Sequence, residues 1–375
     1  MKIYTKNIHL TLNDGVLMKA YTIKKIQDVF GKEINRSTII KAESSGNIPS
    51  PERQQTGNIS RRSWGIEDIP QIGEKYGFLT KLDRPSVITV FTTKGGVLKS
   101  TLTVNIARMA ALHNIKTCIV GLDLQGDVTG ALGFDVGINE DTSLDEANNI
   151  LSGIFGLYDF ERGDKSLDSL IHKTDIPTLD FIPETAELHL LDRAIGNKNR
   201  REYWLKENIV QPLLKNYDLV IFDCSPNWNN LVTNAIAACD LLISPLECKI
   251  NNFRNYPSFR HFLDSFKIET RLNFSHIYVP TRLSPTRKLS KEIRSWYMKN
   301  TPNCISSAIK ESIKGEEAMA KSISLPEHAP NSLDAQEMRQ VILEIWEALI
   351  QVIKPQHTTK ASESTSESRN QDITL

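Results

Sequence analysis

Nowhere in these 375 residues does an apolar run approach the roughly 20 positions that a membrane-spanning helix needs. The opening stretch, MKIYTKNIHLTLNDG, also lacks the apolar core of a secretory signal. The five cysteines (Cys118, Cys224, Cys239, Cys248 and Cys304) include no C-x-x-C pair. That spacing argues against a zinc ribbon, a dithiol redox centre or a disulfide scaffold, and predicts buried, reduced thiols of a cytosolic protein. Net charge is missing too. Lys and Arg total 45, as do Asp and Glu, so any attraction to nucleic acid or anionic lipid must be local. No internal repeat is present. Hydrophobic residues at 40% and charged residues at 24% describe an ordinary globular chain, long enough for one large domain and a small one.

Three regions differ in texture. Residues 1–85 are polar and mixed in charge. Residues 86–354 alternate compact β-branched runs with amphipathic stretches. Residues 355–375, PQHTTKASESTSESRNQDITL, have almost nothing to bury and read as a disordered tail. In the middle region, strands are expected at 86–93, 116–124, 179–184, 217–225, 240–247 and 276–282. Their nearly unbroken apolar character suits a sheet covered on both faces. Helices are expected at 100–113, 187–195, 203–215, 229–238 and 289–299. The alternation predicts an α/β domain with a mostly parallel sheet flanked by helices, which binds ligands at the carboxyl ends of its strands.

One such end carries TTKGGVLKST, residues 92–101, between a strand and a helix. Gly95 and Gly96 allow backbone N–H groups to turn inward and meet phosphate oxygens, and the helix that follows adds its positive end. Lys99 is expected against the β- and γ-phosphates of a nucleotide, and the Ser100 hydroxyl on Mg²⁺. The ordinary G-x-x-x-x-G-K-[ST] pattern does not fit, because Thr93 and Leu98 occupy its glycine positions. The pattern that fits is K-G-G-x-x-K-[ST], in which a second lysine, Lys94, precedes the glycines.

With that loop the chain resembles the ParA partition ATPases, relatives of the MinD septum-site ATPases. The stretch CIVGLDLQGDVTGALG (118–133) resembles their second motif, V-D-x-D-P-Q-G-N-x-T, matching at Asp123, Gln125, Gly126 and Thr129. Gly121 and Leu124 stand in place of its first aspartate and its proline, and Asp127 in place of its asparagine. The stretch YDLVIFDCSPNWNNLVTNAIAACDLLISPLE (217–247) resembles their Walker B segment and the strand after it. The resemblance covers about 86–354. It implies an ATPase that binds ATP and Mg²⁺ through Lys94, Gly95, Gly96, Val97, Leu98, Lys99, Ser100 and Thr101. Lys94 would reach a partner subunit's nucleotide across an ATP-dependent homodimer. Asp123 would orient the attacking water near the metal, Asp223 would hold the magnesium shell through water, and Asn234, Pro245, Thr281 and Arg282 would line the nucleoside pocket. A ParB-like centromere-binding protein is the implied activator.

Nucleic acid is the other implied partner. Residues 281–321 hold nine Lys/Arg against four acids, and of these Arg287, Lys288 and Lys310 lie closest to the basic positions that the resemblance implies. The last helical pattern, 335–353, has an acidic polar side, which disfavours a membrane and suits packing on the domain. Residues 21–69 predict helix, turn at Gly31, helix capped by Asn35, then a segment resembling the wing of MerR-like regulators. This winged helix-turn-helix, with nine Lys/Arg and four acids over 19–64, suggests DNA contacts from Arg36, Ser37, Thr38, Lys41, Arg53, Arg61 and Arg62. Such a domain implies repression of the chain's own operon. The alternative is a transcription regulator for which ATP is only a ligand. A metabolic enzyme of the same superfamily, such as a dethiobiotin synthetase, would leave the N-terminal region without a use. Residues 1–18 carry no clear pattern; an arm or a dimer-forming helix is the expectation there.

Overall fold

The computed structural model describes residues 20–56, 59–134, 142–145 and 153–354. The expected arm at 1–18 and tail at 355–375 lie outside them. The first helix, α1 (Ile23–Phe30), starts at Thr22, whose hydroxyl accepts the Lys25 N–H, and stops at Gly31. Gly31 has φ +63°, a left-handed conformation that glycine adopts without a Cβ penalty. Asn35 caps α2 (Arg36–Ser44) by accepting the Ser37 N–H at 3.1 Å. An antiparallel hairpin follows, β1 (Glu52–Thr56) with β2 (Ile59–Ser63), then α3 (Ile69–Tyr76). Ile26, Val29, Phe30, Ile39, Ile48 and Trp64 are buried, and the Trp64 indole donates to the Pro49 carbonyl at 2.8 Å. These short helices therefore get their stability from a shared apolar core rather than from length.

The larger unit is built on β3 (Ser86–Val90), α4 (Lys99–Leu112), β4 (Thr117–Leu122), α5 (Asp127–Ala131), α6 (Leu157–Glu161), β5 (His172–Lys173), β6 (Leu179–Ile182), α7 (Leu188–Gly196), β7 (Leu219–Cys224), α8 (Asn230–Ala238), β8 (Leu241–Glu247), α9 (Ile250–Thr270), β9 (Ser275–Thr281), α10 (Lys288–Asn300), α11 (Ile313–Ala320), α12 (Leu325–His328) and α13 (Leu333–Ile353). The sheet order is β5-β6-β4-β7-β3-β8-β9. All neighbours run parallel except β5 on β6. Strands β3, β4, β6, β7 and β8 are buried along their whole length, as their unbroken apolar runs require. Four of the free cysteines are buried, with Cys118 and Cys224 in β4 and β7.

Two helical expectations change. Residues 203–215 are helical as far as Leu213, but not regularly α: a 3-10 turn at Arg201–Tyr203 runs through Trp204 and Leu205 into a π-helical segment, Lys206–Val210, and a last α turn, Gln211–Leu213. Pro212 has no N–H to donate, so the i→i−4 ladder lacks a bond at this point. The 21-residue α9 was not foreseen, because it is polar and contains Pro257. The apolar face of α13 is covered by the domain: Val341, Ile342, Ile345, Trp346, Leu349 and Ile353 are buried, and the Trp346 indole donates to the Thr80 carbonyl at 2.9 Å. Among the described residues, no helix is long and apolar enough to cross a membrane.

The two units meet along α4. A Cβ on Gly73 of α3 would lie 1.8 Å from the Leu112 carbonyl oxygen, so the helices touch backbone to backbone. Arg108, fully buried in α4, donates to Glu327 at 2.7 and 2.9 Å and to Asp175 at 2.7 and 3.0 Å. The Tyr21 hydroxyl also donates to Glu327, at 3.2 Å. Burying this cation is tolerable because two carboxylates satisfy it.

Candidate nucleotide site

Residues 91–98 join the buried strand β3 to α4. Gly96 and Leu98 both have φ +70°. For Gly96 this is free; for Leu98 it costs about 1 kcal/mol or more, a strain that surrounding packing must hold. A Cβ on Gly95 or Gly96 would meet nothing within 4 Å, so the loop backbone is open to an approaching ligand. The N–H groups of Lys94 to Leu98 have no hydrogen-bond partner among the described residues. These donors precede the positive end of a 14-residue helix. Lys99, the first residue of that helix, is buried, and its ammonium has no hydrogen-bond or ion-pair partner among the described residues; nor does that of the half-buried Lys94.

Asp223 sits near the end of β7, between β3 and β4, in register with Val90 and Gly121. Ser100 donates to its Oδ2 at 2.7 Å, and Thr103, one turn along α4, donates to Oδ1 at 2.8 Å. Burial pushes the Asp223 carboxyl up to about 7; the Ser100 and Thr103 hydroxyls and the Lys99 charge oppose that shift, while Glu184 adds to it. Asp123, just past β4, is buried and accepts the Gln125 N–H at 3.3 Å. Glu184, past the end of β6, has its carboxyl raised by burial against hydrogen bonds from Thr129. Neither Thr103 nor Glu184 was among the expected site residues. Thr103 was findable, since it lies three residues from Ser100 on one helix face.

Beside the loop is a cavity of about 790 Å³, lined by Leu98, Ser100, Thr101, Asp127, Arg282 and Lys310 among others. Arg282 faces it while paired with Glu311 at 3.3 Å, and Lys310 is held by Glu337 at 2.5 Å. Thr281 is buried at the end of β9, its hydroxyl without a partner among the described residues, and Pro245 is buried within β8. Asn234 stands apart. Its amide accepts from Leu205 N–H and donates to the Arg201 and Asn230 carbonyls, so its hydrogen bonds tie α8 to its neighbours.

The residues present suit a magnesium–nucleotide. Among the described residues no cluster of three His, Cys, Asp or Glu forms a cage for a metal. Mg²⁺, however, keeps most of its waters and needs only one or two protein oxygens beside the phosphates. Ser100 and Asp223 supply that pair, and Glu184 leaves a buried oxygen, Oε1, without a partner nearby.

Among the basic candidates, Arg36, Ser37, Thr38 and Lys41 are exposed on α2, as are Arg53 and Arg61 on the hairpin. Arg62 is half-buried and donates to Glu43 at 2.9 Å, which also holds Arg53 at 3.5 Å. Glu43 thereby fixes the hairpin against α2. Arg36, Arg61 and Arg62 share with Lys24 and Gln27 a cavity of about 510 Å³. Arg287 and Lys288 are exposed at the start of α10.

A sequence profile described as an AAA domain matches residues 85–275. Chromosome partitioning protein ParA of Myxococcus xanthus is 28% identical over 218 residues, 57% of this chain and 72% of that protein. Protein SopA of Escherichia coli is 26% identical over 268 residues, 67% of this chain and 64% of SopA, so less than two thirds of that relative is spanned. A plasmid partition protein of Borrelia burgdorferi, solved with AMPPNP, superposes with a TM-score of 0.55 at 19% identity, over 72% of this chain and 98% of that one. At that identity the superposition speaks for the fold.

Proposed function

We propose, from the premise that this chain belongs to the AAA domain family matched at residues 85–275, that it is a ParA-type partition ATPase. The observation that carries the reading is the junction of β3, α4 and β7. There an open glycine loop, a buried unpaired Lys99 and the Ser100–Asp223 contact at 2.7 Å meet at the carboxyl ends of parallel strands. The loop amides and Lys99 bind the phosphates. Ser100 coordinates Mg²⁺, and Asp223 orients the Ser100 hydroxyl and accepts from the metal's waters. Mg²⁺ supplies charge neutralisation at the phosphates when bound. Asp123 orients the attacking water. Thr281, Arg282 and Pro245 flank the nucleoside.

Lys94 acts in trans. Two triphosphates enclosed between paired protomers repel, and a lysine lent by each subunit offsets that charge. ATP thus closes a homodimer. The closed dimer holds DNA without sequence preference through Arg287 and Lys288, and a ParB-like partner accelerates hydrolysis and release. The exposed residues of α2 and the hairpin read an operator, which makes the chain its own repressor. The basic cavity between α1, α2 and β2 favours that second role. Were it the chain's sole function, with ATP only a ligand, Asp123 would have nothing to orient.

Calorimetry with AMPPNP and Mg²⁺ tests the site: Lys99→Ala should abolish binding, and retained affinity would reject the phosphate loop. Lys94→Ala should bind nucleotide as a monomer but fail to dimerise in sedimentation; a variant that still dimerises with ATP removes Lys94 from this role. ATP turnover with DNA and the partner separates the partition reading from the regulator.

A further inference from the structure

Gly121 in β4 is in direct register with Asp223 in β7, so both face the side of the sheet on which α4 lies. A Cβ on Gly121 would fall 2.3 Å from Cδ of Glu184 and 2.6 Å from its Oε1. The glutamate, reaching in from beyond the end of β6, fills the space that a side chain at 121 would occupy. Its two oxygens have different surroundings. One, Oε2, accepts from the Thr129 N–H at 3.1 Å and from the Thr129 hydroxyl. The other, Oε1, is buried with no hydrogen-bond partner among the described residues. A carboxylate oxygen removed from water and left unpaired is costly unless a ligand brings it a donor.

We propose that Glu184 is a magnesium-shell residue of this site, accepting through Oε1 from a water of the metal ion, beside Asp223. Gly121 is then the complement of Glu184: its missing Cβ makes room for a carboxylate that arrives from the neighbouring strand. Thr129 orients that carboxylate from α5, so the segment after Asp123 and the metal shell are mechanically joined. The inference rests on the nucleotide site proposed above. It adds to that reading a residue that no sequence motif marks.

The test uses the full chain and calorimetric AMPPNP binding at stepped Mg²⁺, with thermal melting without nucleotide as the check on folding. Glu184→Gln keeps the size and one acceptor for Thr129 but removes the charge. It should raise the Mg²⁺ needed for half-maximal nucleotide affinity by about 10- to 100-fold, the usual effect of losing an outer-shell partner, while binding in EDTA stays as in the wild type. The double variant Gly121→Asp/Glu184→Ala returns a carboxylate to the same space from β4 and should recover most of the Mg²⁺ response. An unchanged Mg²⁺ requirement in Glu184→Gln, with or without a lower melting temperature, leaves Glu184 only as a tie to α5 and overturns the proposal. A folded double variant that does not recover overturns it as well. Wild-type protein whose AMPPNP affinity ignores Mg²⁺ defeats the underlying site reading instead, and that outcome is distinct from the other two.

Discussion

Replacing Glu327 by alanine would strand the most deeply buried cation of the fold. Glu327 is 6% exposed and accepts from Arg108 Nε and Nη2, from the Tyr21 hydroxyl, and from the Ser324 N–H and hydroxyl. The Arg108 charge and these hydrogen bonds hold its carboxyl at about 2, against the upward push of burial. Because that value lies below the ordinary one, the ion pair contributes its full stability above about pH 4.5 and loses it as pH falls toward 2. Removing one partner of a buried pair costs about 3–5 kcal/mol, since the other charge stays buried and unpaired. Asp175 keeps one face of the guanidinium, which favours the lower end of that range. Urea denaturation at pH 7.5 should show Glu327→Ala destabilised by about 3 kcal/mol, with a melting midpoint lower by on the order of 10 °C. A second variant guards against misreading lost packing as lost charge: Arg108→Met/Glu327→Leu replaces the pair with apolar side chains of similar size and should recover much of the loss. A Glu327→Ala protein within about 1 kcal/mol of wild type, the range of exposed ion pairs, would refute the reasoning, as would a double variant no better than the single one.

Other outcomes follow from the same buried charges. Burial raises the Asp223 carboxyl to about 7, so the nucleotide-free protein gains stability from its protonated form below about pH 4 and loses that gain as pH rises through 7. Asp223→Asn should therefore melt higher than wild type at pH 8 without nucleotide, yet lose the Mg²⁺ dependence of AMPPNP binding; a lower melting point at pH 8 would contradict this. His113 has the opposite sign. Burial lowers its ring to about 4, and the neutral form is fixed because Nε2 accepts the Phe78 N–H at 2.8 Å while Nδ1 donates to the Met109 carbonyl at 2.6 Å. Its contribution is complete above about pH 6.5 and fades as pH falls through 4. Hydrogen exchange across 69–80 should accelerate over that window, and His113→Gln should flatten the dependence.

Six of the seven strands in the large sheet were legible because their burial demands the apolar run that a reader of sequence detects; β5, two part-exposed residues at the antiparallel edge, carries no such run. The glycine loop and α4 were legible for a related reason: phosphate binding forces small residues and a lysine into adjacent positions. The π-helical turn at 206–210 was hidden because its apolar spacing reads as a plain helix, and the polar, proline-containing α9 was hidden because it follows no hydrophobic period. Asn234 was assigned toward the nucleoside from its place in a motif, whereas its amide is engaged with backbone groups that only the folded chain brings near.

Local pattern thus decided which residues form strand, loop and helix, because period and turn chemistry act over a few positions along the chain. Partners far apart in sequence were decided by the packing of the sheet. Glu184 fills the room beside Gly121, Glu327 meets Arg108, and Glu43 clamps the hairpin, through contacts whose spacing along the chain carries no signal. A carboxylate has the same letter whether it faces water or a buried guanidinium, and only the fold determines which of the two it meets.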